Sequence, residues 1–211
     1  MKSSLTPSLA AESVLWGYGL TCVAGLDEAG RGAWAGPVAA AAVILPPDPS
    51  IQDKLTGVRD SKQMSARERD FWEEQIKVLA LDWSTGLASS REIDELGILP
   101  STRLAMRRAL DGLSLLPKHL LIDAVRLPGV PVPQTALIKG DGLVLSIACA
   151  SVLAKTCRDA ILVQLDKEYP GYAFARHKGY GTARHREALA GLGPCPEHRF
   201  SYRPVSSFTR V

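Results

Sequence analysis

Apolar residues along this chain are grouped in short runs whose spacing predicts strands. The runs Thr21–Leu26 and Val38–Leu45 predict the two arms of a hairpin, and a proline-rich breaker ends the second arm. Apolar and polar residues alternate from Leu81 to Leu87, which predicts a strand with one buried face. Shorter apolar runs at His119–Ile122 and Ala136–Ile138 predict two further buried strands.

Helical periodicity separates these strands. Two capping boxes, Ser65–Glu68 and Ser89–Glu92, mark helix N-termini. Pro100 and Gly112 are placed for the start and the end of another helix. A long helix is predicted from Leu143 to about Lys167, and its many small residues allow close packing against a sheet. Strands that alternate with helices predict an α/β domain with a mixed sheet.

Length and composition fit one folded domain outside any membrane. The chain has 211 residues, of which 46% are hydrophobic, so it can bury a substantial core. No apolar run approaches the roughly 20 residues of a membrane span, and the N-terminus lacks a secretory pattern. Four cysteines show neither Cys-x-x-Cys spacing nor a zinc-finger histidine, which favours buried free thiols over a disulfide or a zinc site. We therefore expect a cytoplasmic protein.

Charge is unevenly spread along the chain. Residues 1–166 carry 17 Lys and Arg against 19 Asp and Glu, whereas residues 167–211 carry 8 against 3 and also hold three histidines. A basic C-terminal face and an acidic pocket elsewhere suit a polyanion held over a metal centre. An ordinary solvated basic tail explains the same numbers.

The densest candidate chemistry lies in residues 25–32, where Asp27 and Glu28 precede a glycine-flanked arginine. Carboxylates bind hard divalent cations, while Arg31 and the backbone N–H groups beside Gly30 and Gly32 suit a phosphate or a sugar hydroxyl. A dinucleotide-binding loop is a competing interpretation, but acids on its approach would repel a pyrophosphate, and the following segment favours a strand over a helix. A polar hairpin turn without chemistry is the other alternative.

Two more acids are placed to join this pair. Asp123 follows a predicted strand, as Asp27 does, and sites in open α/β sheets collect at the carboxyl ends of strands. Asp141 stands at the start of the long helix. Neighbouring strand residues point to opposite faces, so Glu28 joins Asp27 only if the chain bends there or Glu28 contributes its carbonyl oxygen. Two divalent cations would relieve the repulsion, one activating water and the other stabilising a leaving oxygen. Each acid separately also suits a cap or a turn.

Beyond these patterns, the chain resembles a known family through an ordered set of motifs. The set resembles type 2 ribonuclease H, and most closely bacterial ribonuclease HII. Its members are Gly25–Gly32, Asp60–Lys62, Leu121–Asp123, Lys139–Asp141, Ser146–Lys155, Arg158–Asp159 and His177–Thr182. The resemblance runs from about residue 21 to residue 205, so we expect an N-terminal extension at residues 1–20 and a single catalytic domain at residues 21–211.

The resemblance implies a ribonuclease H-like α/β fold, with a mixed five-stranded sheet flanked by helices and a helical C-terminal portion that grips the duplex. It implies hydrolysis of the RNA strand of RNA/DNA hybrids, including a nick on the 5′ side of a single ribonucleotide embedded in DNA, leaving a 5′-phosphate and a 3′-hydroxyl. It also implies two Mg²⁺ or Mn²⁺ ions per active site, with the metal-binding and catalytic acids at Asp27, Glu28, Asp123 and Asp141.

The same resemblance assigns the substrate contacts. Gly30, Arg31 and Gly32 match the loop that reads the ribose 2′-hydroxyl, the group that separates RNA from DNA. Tyr180 matches an aromatic that stacks on the sugar at the RNA-to-DNA junction, and Lys62 matches a lysine near the substrate backbone. Without its motif, Tyr180 would suit an ordinary half-buried aromatic. Ser151, Lys155 and Arg158 on the long helix suit packing or surface positions beside the site.

Departures from the family pattern are few. Ala124 replaces the usual glycine after the third acid, and its methyl group would restrict the backbone if that position needs a positive φ. Cys149 and Cys157 suit core positions. Residues 206–211 carry no sliding-clamp motif, so we expect a monomer with no obligate protein partner. A metal-dependent DNA nuclease on the same scaffold and a non-catalytic hybrid-binding module are the alternatives.

Overall fold

The computed structural model describes residues 6–208, and its centre is one mixed five-stranded sheet. The strand order is β3-β2-β1-β4-β5; β2 runs antiparallel to β1 and β3, whereas β1, β4 and β5 are parallel. The strands are β1 Val23–Ala29, β2 Val38–Ile44, β3 Asp82–Ala88, β4 His119–Asp123 and β5 Gln134–Leu137. The predicted hairpin and mixed sheet are confirmed.

Helices cover both faces of this sheet. Those that the structure describes are α1 Ala10–Gly17, α2 Ile51–Lys54, α3 Ala66–Leu79, α4 Ser90–Leu96, α5 Ile98–Asp111, α6 Leu145–Glu168, α7 Phe174–His177, α8 Ala183–Leu192 and α9 Arg203–Ser206. Short 3₁₀ turns occupy Ser61–Gln63 and Gly140–Gly142. Within residues 6–208, no helix has the length and apolar character needed to cross a membrane.

Small residues allow α5 and α6 to pack closely on the central strands. Every residue of β2 is buried, and four consecutive alanines form its middle. A Cβ atom at Gly25 would lie 2.3 Å from the Ser146 carbonyl carbon of α6, and one at Gly86 would lie 2.2 Å from the Ala105 carbonyl oxygen of α5. Because side chains alternate between faces, β1 presents residues 23, 25, 27 and 29 to α6 and residues 24, 26 and 28 to the α5 side.

The first strand is longer than predicted, because it continues through the acidic pair. Asp27 pairs with Ala41 and Glu28 with Ala40 in a regular antiparallel ladder that ends at Ala29. The hairpin partner therefore stabilises an extended backbone where the sequence indicated a corner. The chain turns at Gly30, whose φ is +96°.

Other boundaries differ by a few residues. Helix α5 begins at Ile98, so Pro100 lies inside its first turn instead of opening it. Asp141 lies in the 3₁₀ turn before α6 and not in the helix itself. Both capping boxes are present as predicted, with each serine accepting from the N3 amide and each glutamate accepting from the N-cap amide.

The N-terminal segment packs against the start of α6. Ser8 forms a parallel bridge with Val144, and its main chain exchanges hydrogen bonds with Leu143 and Leu145. Leu9 is buried in the core cluster under α6. The buried Glu12 accepts a 2.8 Å hydrogen bond from the Ser146 main-chain N–H.

The C-terminal helices form a second apolar cluster with the far end of α6. Three histidines lie inside this part of the fold, so they do not contribute to a basic surface as the charge count suggested. They are His177, His185 and His198, and burial lowers the pKa of each, of the latter two to about 4. All four cysteines are free as predicted, but Cys22 and Cys157 are only partly buried.

Candidate active site

The parallel pairing of β1 with β4 aligns two of the candidate acids. The ladder pairs Gly25 with Leu121 and Leu26 with Ile122, so Asp27 and Asp123 follow at the same level of adjacent strands. Both face α6 by strand alternation. Asp27 is 2% exposed. Acids that are 96 positions apart in sequence thus become neighbours at one edge of the sheet.

Glu28 belongs to the opposite face of β1, because the strand does not bend between the two acids. Its Oε1 accepts a 3.1 Å hydrogen bond from Nη1 of Arg31. Of the two predicted routes by which Glu28 could join Asp27, the regular ladder leaves a contribution of the Glu28 carbonyl oxygen. A further route that the sequence did not suggest is the Glu28 side chain itself, which lines the adjacent cleft. The bend at Glu28 is excluded.

Asp141 and Lys62 complete the acidic edge from two separate loops. The Gly140 main-chain N–H donates to Oδ1 of Asp123 at 2.7 Å, which fixes the turn holding Asp141 beside β4. Nζ of Lys62 lies 3.8 Å from Oδ2 of Asp141 and 4.0 Å from Oδ1 of Asp60. One lysine therefore faces two carboxylates at the mouth of the site.

The electrostatics of these acids favour an added positive charge. The pKa of Asp27 lies well above its usual value, mainly because the carboxylate is buried and also because the charges of Glu28 and Asp123 are near. Burial also raises the pKa of Glu28, although Arg31 opposes this shift. Burial raises the pKa of Asp141 as well. Burial alone would lower the pKa of Lys62, but the neighbouring carboxylates raise it overall.

Two carboxylate oxygens at this edge have no partner among the described residues. Oδ2 of Asp27 and Oε2 of Glu28 are both buried and have no partner within 3.5 Å in hydrogen-bond geometry, although the Ser151 hydroxyl lies close enough to Asp27 to lower its pKa. A buried polar atom left unsatisfied is unfavourable by about 1–3 kcal/mol, and more when the group is charged. Positive charge bound at this edge would compensate these oxygens.

These acids fit a divalent cation site whose shell is completed by water and substrate better than a site formed by protein ligands alone. Within residues 6–208, no three His, Cys, Asp or Glu side chains converge closely enough to hold a metal ion by themselves. Mg²⁺ commonly binds through one or two carboxylates and completes its shell with water and substrate phosphate oxygens. The donor set here, oxygen atoms on separate strands and loops, matches that pattern.

An open cleft of about 660 Å³ extends from the acids. Its lining brings together the predicted substrate contacts Gly30, Arg31, Gly32, Lys62 and Tyr180. The Tyr180 ring is 37% exposed and has two cations near it, Lys155 Nζ at 5.7 Å and the Arg158 guanidinium carbon at 5.4 Å. The five predicted substrate contacts thus line one cleft together with Glu28, and Lys62 also lies 3.8 Å from Asp141.

Two buried arginines beside the cleft were not predicted from the sequence. Arg158 and Arg199 are both 0% exposed, and their guanidinium groups bind main-chain carbonyl oxygens of the loops around the cleft. Arg158 is thus neither a surface residue nor a packing residue alone. The available signal was an arginine in the apolar stretch of a long helix, since a buried charge needs compensating partners.

Comparisons with known proteins agree with the geometry. The ribonuclease HII family profile matches residues 24–209. A ribonuclease HII from Chloroflexus aurantiacus is 50% identical over 202 residues, covering 95% of each chain. The crystal structure of ribonuclease H2 from Pyrococcus horikoshii has a TM-score of 0.74 at 24% identity, covering 88% of this chain and 96% of that one. The ribonuclease HII of Archaeoglobus fulgidus, solved in complex with PCNA, has a TM-score of 0.72 at 25% identity, covering 90% and 97%.

Proposed function

This chain belongs to the ribonuclease HII family of metal-dependent endoribonucleases, which cut the RNA strand of RNA/DNA hybrids, and on that premise we propose its finer specificity. The enzyme nicks DNA on the 5′ side of a single embedded ribonucleotide and leaves a 5′-phosphate and a 3′-hydroxyl. In that hydrolysis the oxygen of water joins phosphorus while the bond from phosphorus to the 3′ oxygen breaks.

The observation that carries the proposal is the pair of buried, unpartnered carboxylate oxygens on Asp27 and Glu28 at the edge of the cleft. Together with Asp123 and Asp141, these residues are proposed to hold two Mg²⁺ or Mn²⁺ ions. Bound there, the cations would supply activation of water and stabilisation of the leaving oxygen.

Ribose recognition is assigned to the glycine-flanked loop. Arg199 binds the carbonyl oxygens of Gly30 and Arg31 from the buried side, at 2.8 and 2.9 Å. The donors of this loop are proposed to contact the 2′-hydroxyl, which both donates and accepts hydrogen bonds. Gly32 has open space around its α-carbon, so a sugar can approach the backbone there.

Two side chains complete the substrate contacts. The partly exposed Tyr180 ring is proposed to pack on the sugar at the RNA-to-DNA junction, which requires a flat surface and no base-specific contact. Lys62 is largely exposed and lies against Asp141, so its ammonium group is proposed to contact the substrate phosphates beside the acids.

The decisive test uses an end-labelled DNA duplex with one ribonucleotide, an all-DNA control duplex, and buffers with Mg²⁺, Mn²⁺ or EDTA. We expect one cation-dependent nick directly 5′ of the ribonucleotide and none in the control. Cleavage of both duplexes would indicate a DNA nuclease, and duplex binding without cleavage in any buffer would indicate a binding module.

The matched variants are Asp27→Asn and Asp53→Asn. Asp53 is an exposed carboxylate on α2, outside the cleft lining. We expect Asp27→Asn to lose most of the activity, at least about 10²-fold, while Asp53→Asn keeps wild-type rates. Wild-type cleavage by folded Asp27→Asn would contradict the assignment of this carboxylate.

We also propose that the enzyme acts in the cytoplasm as a monomer, without an obligate protein partner. The PCNA complex of the Archaeoglobus relative makes a sliding clamp the partner to test. Gel filtration of the free enzyme, alone and with purified clamp, measures both points. Nicking by the purified monomer would support independence, and a requirement for the clamp would contradict it.

A further inference from the structure

One buried side chain connects the two segments that are proposed to read the sugar. The loop at Gly30–Gly32 follows β1, whereas Tyr180 lies about 150 positions later, after α7. Arg158 of α6 lies between them. Its Nε donates to the Pro37 carbonyl oxygen at 2.8 Å and its Nη2 to the Ala35 carbonyl oxygen at 3.0 Å.

The third arm of the guanidinium group reaches the other segment. Nη1 of Arg158 donates to the Lys178 carbonyl oxygen at 2.8 Å, and the guanidinium carbon lies 5.4 Å from the centre of the Tyr180 ring. A Cβ atom at Gly30 would lie 1.9 Å from Nε of Arg158. The side chain therefore contacts the back of Gly30 and the Tyr180 ring at the same time.

Among the described residues, the hydrogen-bond acceptors of this buried cation are main-chain carbonyl oxygens, and the Tyr180 ring lies beside it. Arg158 is 0% exposed, and among residues 6–208 no carboxylate forms an ion pair with it. The planar guanidinium presents donors in a fixed fork, which a lysine ammonium group does not reproduce. The geometry of three carbonyl oxygens on two segments therefore depends on arginine.

We propose that Arg158 is a positioning residue for ribose recognition, which holds the Gly30–Gly32 loop and the Tyr180 ring at a fixed separation. The inference rests on the proposed function, since the proposed function assigns both segments to the sugars at one junction. Recognition of adjacent sugars by two segments requires their relative placement to within about 0.5 Å. Arg158 adds a side-chain connection to the main-chain hydrogen bond from the Trp34 N–H to the Gly179 carbonyl oxygen, which is 2.8 Å long.

Arg199 is a matched comparison. It is equally buried and binds carbonyl oxygens of Gly30, Arg31, Gly36 and Pro37. None of its hydrogen bonds in the described chain reaches residues 178–180. Arg199 therefore supports the loop alone, whereas Arg158 connects the loop with the Tyr180 segment.

The experiment is a set of double-mutant cycles on kcat/KM for the single-ribonucleotide duplex. Arg158→Lys and Arg199→Lys are each combined with Gly32→Ala and with Tyr180→Ala. We expect Arg158→Lys to be coupled to both Gly32→Ala and Tyr180→Ala. The loss of kcat/KM in each double variant should be smaller than the product of the two single losses by a factor of roughly five or more. Arg199→Lys should be coupled to Gly32→Ala and independent of Tyr180→Ala.

Controls separate positioning from stability. Circular dichroism and thermal melting give the folded fraction of each variant, and rates are compared per folded molecule. Where Arg158→Lys does not fold, Arg158→Gln replaces it in the same cycles. A role in stability alone predicts no coupling to either substrate-reading variant.

The outcomes distinguish the two levels of the proposal. Independence of Arg158 from Tyr180, in folded variants of an enzyme that cuts the ribonucleotide duplex, overturns the positioning role and leaves the proposed function intact. Failure of the wild-type enzyme to cut that duplex refutes the proposed function itself.

Discussion

At the scale of single residues, the backbone at Ala124 is strained. Its φ is +53°, in the left-handed region that a Cβ atom disfavours. The Val125 N–H donates to the Asp123 carbonyl oxygen, and the Ala124 N–H donates to the Leu137 carbonyl oxygen at 2.9 Å. The tight turn that follows the third acid therefore requires a left-handed backbone conformation, which favours glycine.

Ala124→Gly should stabilise the protein by about 1 kcal/mol, because glycine adopts this φ without a steric penalty. Urea unfolding at constant m-value measures the change. The control is Ala190→Gly on the exposed face of α8, where glycine should destabilise by roughly 0.5–1 kcal/mol. Equal effects of the two substitutions would contradict strain at Ala124.

The raised pKa of Asp27 predicts an unusual pH dependence of the folding stability of the metal-free protein. Because its folded-state pKa is raised, the folded chain binds this proton more tightly than the unfolded chain does. The stability that protonated Asp27 contributes is fully present below its pKa in the unfolded chain, about 4, and is lost as the pH rises through its pKa in the folded chain. Each unit of that shift corresponds to about 1.4 kcal/mol.

We therefore expect Asp27→Asn to be more stable than the wild-type protein in EDTA at neutral pH. The difference should shrink toward pH of about 4, and added Mg²⁺ should stabilise the wild type more than the variant. Urea unfolding with and without the cation measures both effects. A wild-type protein that is the more stable of the two in EDTA at neutral pH would contradict this account.

At the scale of elements, capping and pairing explain which boundaries were predictable. The capping box that starts α4 is local, and its glutamate is also bound by Nη1 and Nη2 of Arg108 on α5, at 2.9 and 2.8 Å. The end of β1, by contrast, depends on its partner strand. Asp27 and Glu28 are poor strand formers, but pairing with β2 keeps them extended.

Glu92→Gln should destabilise the protein by about 1 kcal/mol at neutral pH, because it removes a charge bound by Ser89 and Arg108. These partners lower the pKa of Glu92 to about 2. The stabilisation is present above the unfolded pKa and is lost as the pH falls toward about 2.

Unfolding free energies at several pH values measure this effect, and the difference between Glu92→Gln and wild type should vanish at the acid end. Glu95→Gln on the same helix is the control, since within residues 6–208 the ion-pair partner of Glu95 is the exposed Arg91. It should change stability by less than about 0.5 kcal/mol. A constant difference for Glu92→Gln across the pH range would contradict the charged cap.

At the scale of the whole molecule, the N-terminal segment stabilises the helix that carries Ser151, Lys155 and Arg158. Helix α1 directs the buried Glu12 carboxylate at the Ser146 N–H in the first turn of α6, where the helix dipole favours negative charge. Burial raises the pKa of Glu12, and hydrogen bonds from the Ser146 main chain and side chain oppose that shift. The segment therefore contributes to the start of α6.

Glu12→Ala should destabilise the protein by about 1–3 kcal/mol, because it leaves the Ser146 amide unsatisfied in a buried position. Hydrogen exchange at that amide should accelerate, and urea unfolding gives the free energy. Ser13→Ala, an exposed change on the same helix, should stay within about 0.5 kcal/mol of wild type. Unchanged protection of Ser146 in Glu12→Ala would contradict the cap.

The sequence by itself determined the order of the five strands and of helices α3 to α6, both capping boxes and the family, because these depend on local periodicity and on residue types at fixed spacing. It did not determine that β1 continues through Asp27 and Glu28, or that the histidines after α6 are buried. It also gave no reason for two buried arginines without carboxylate partners. Those features depend on pairing across β1 and β2 and on carbonyl oxygens from distant loops, which come together only when the chain is folded.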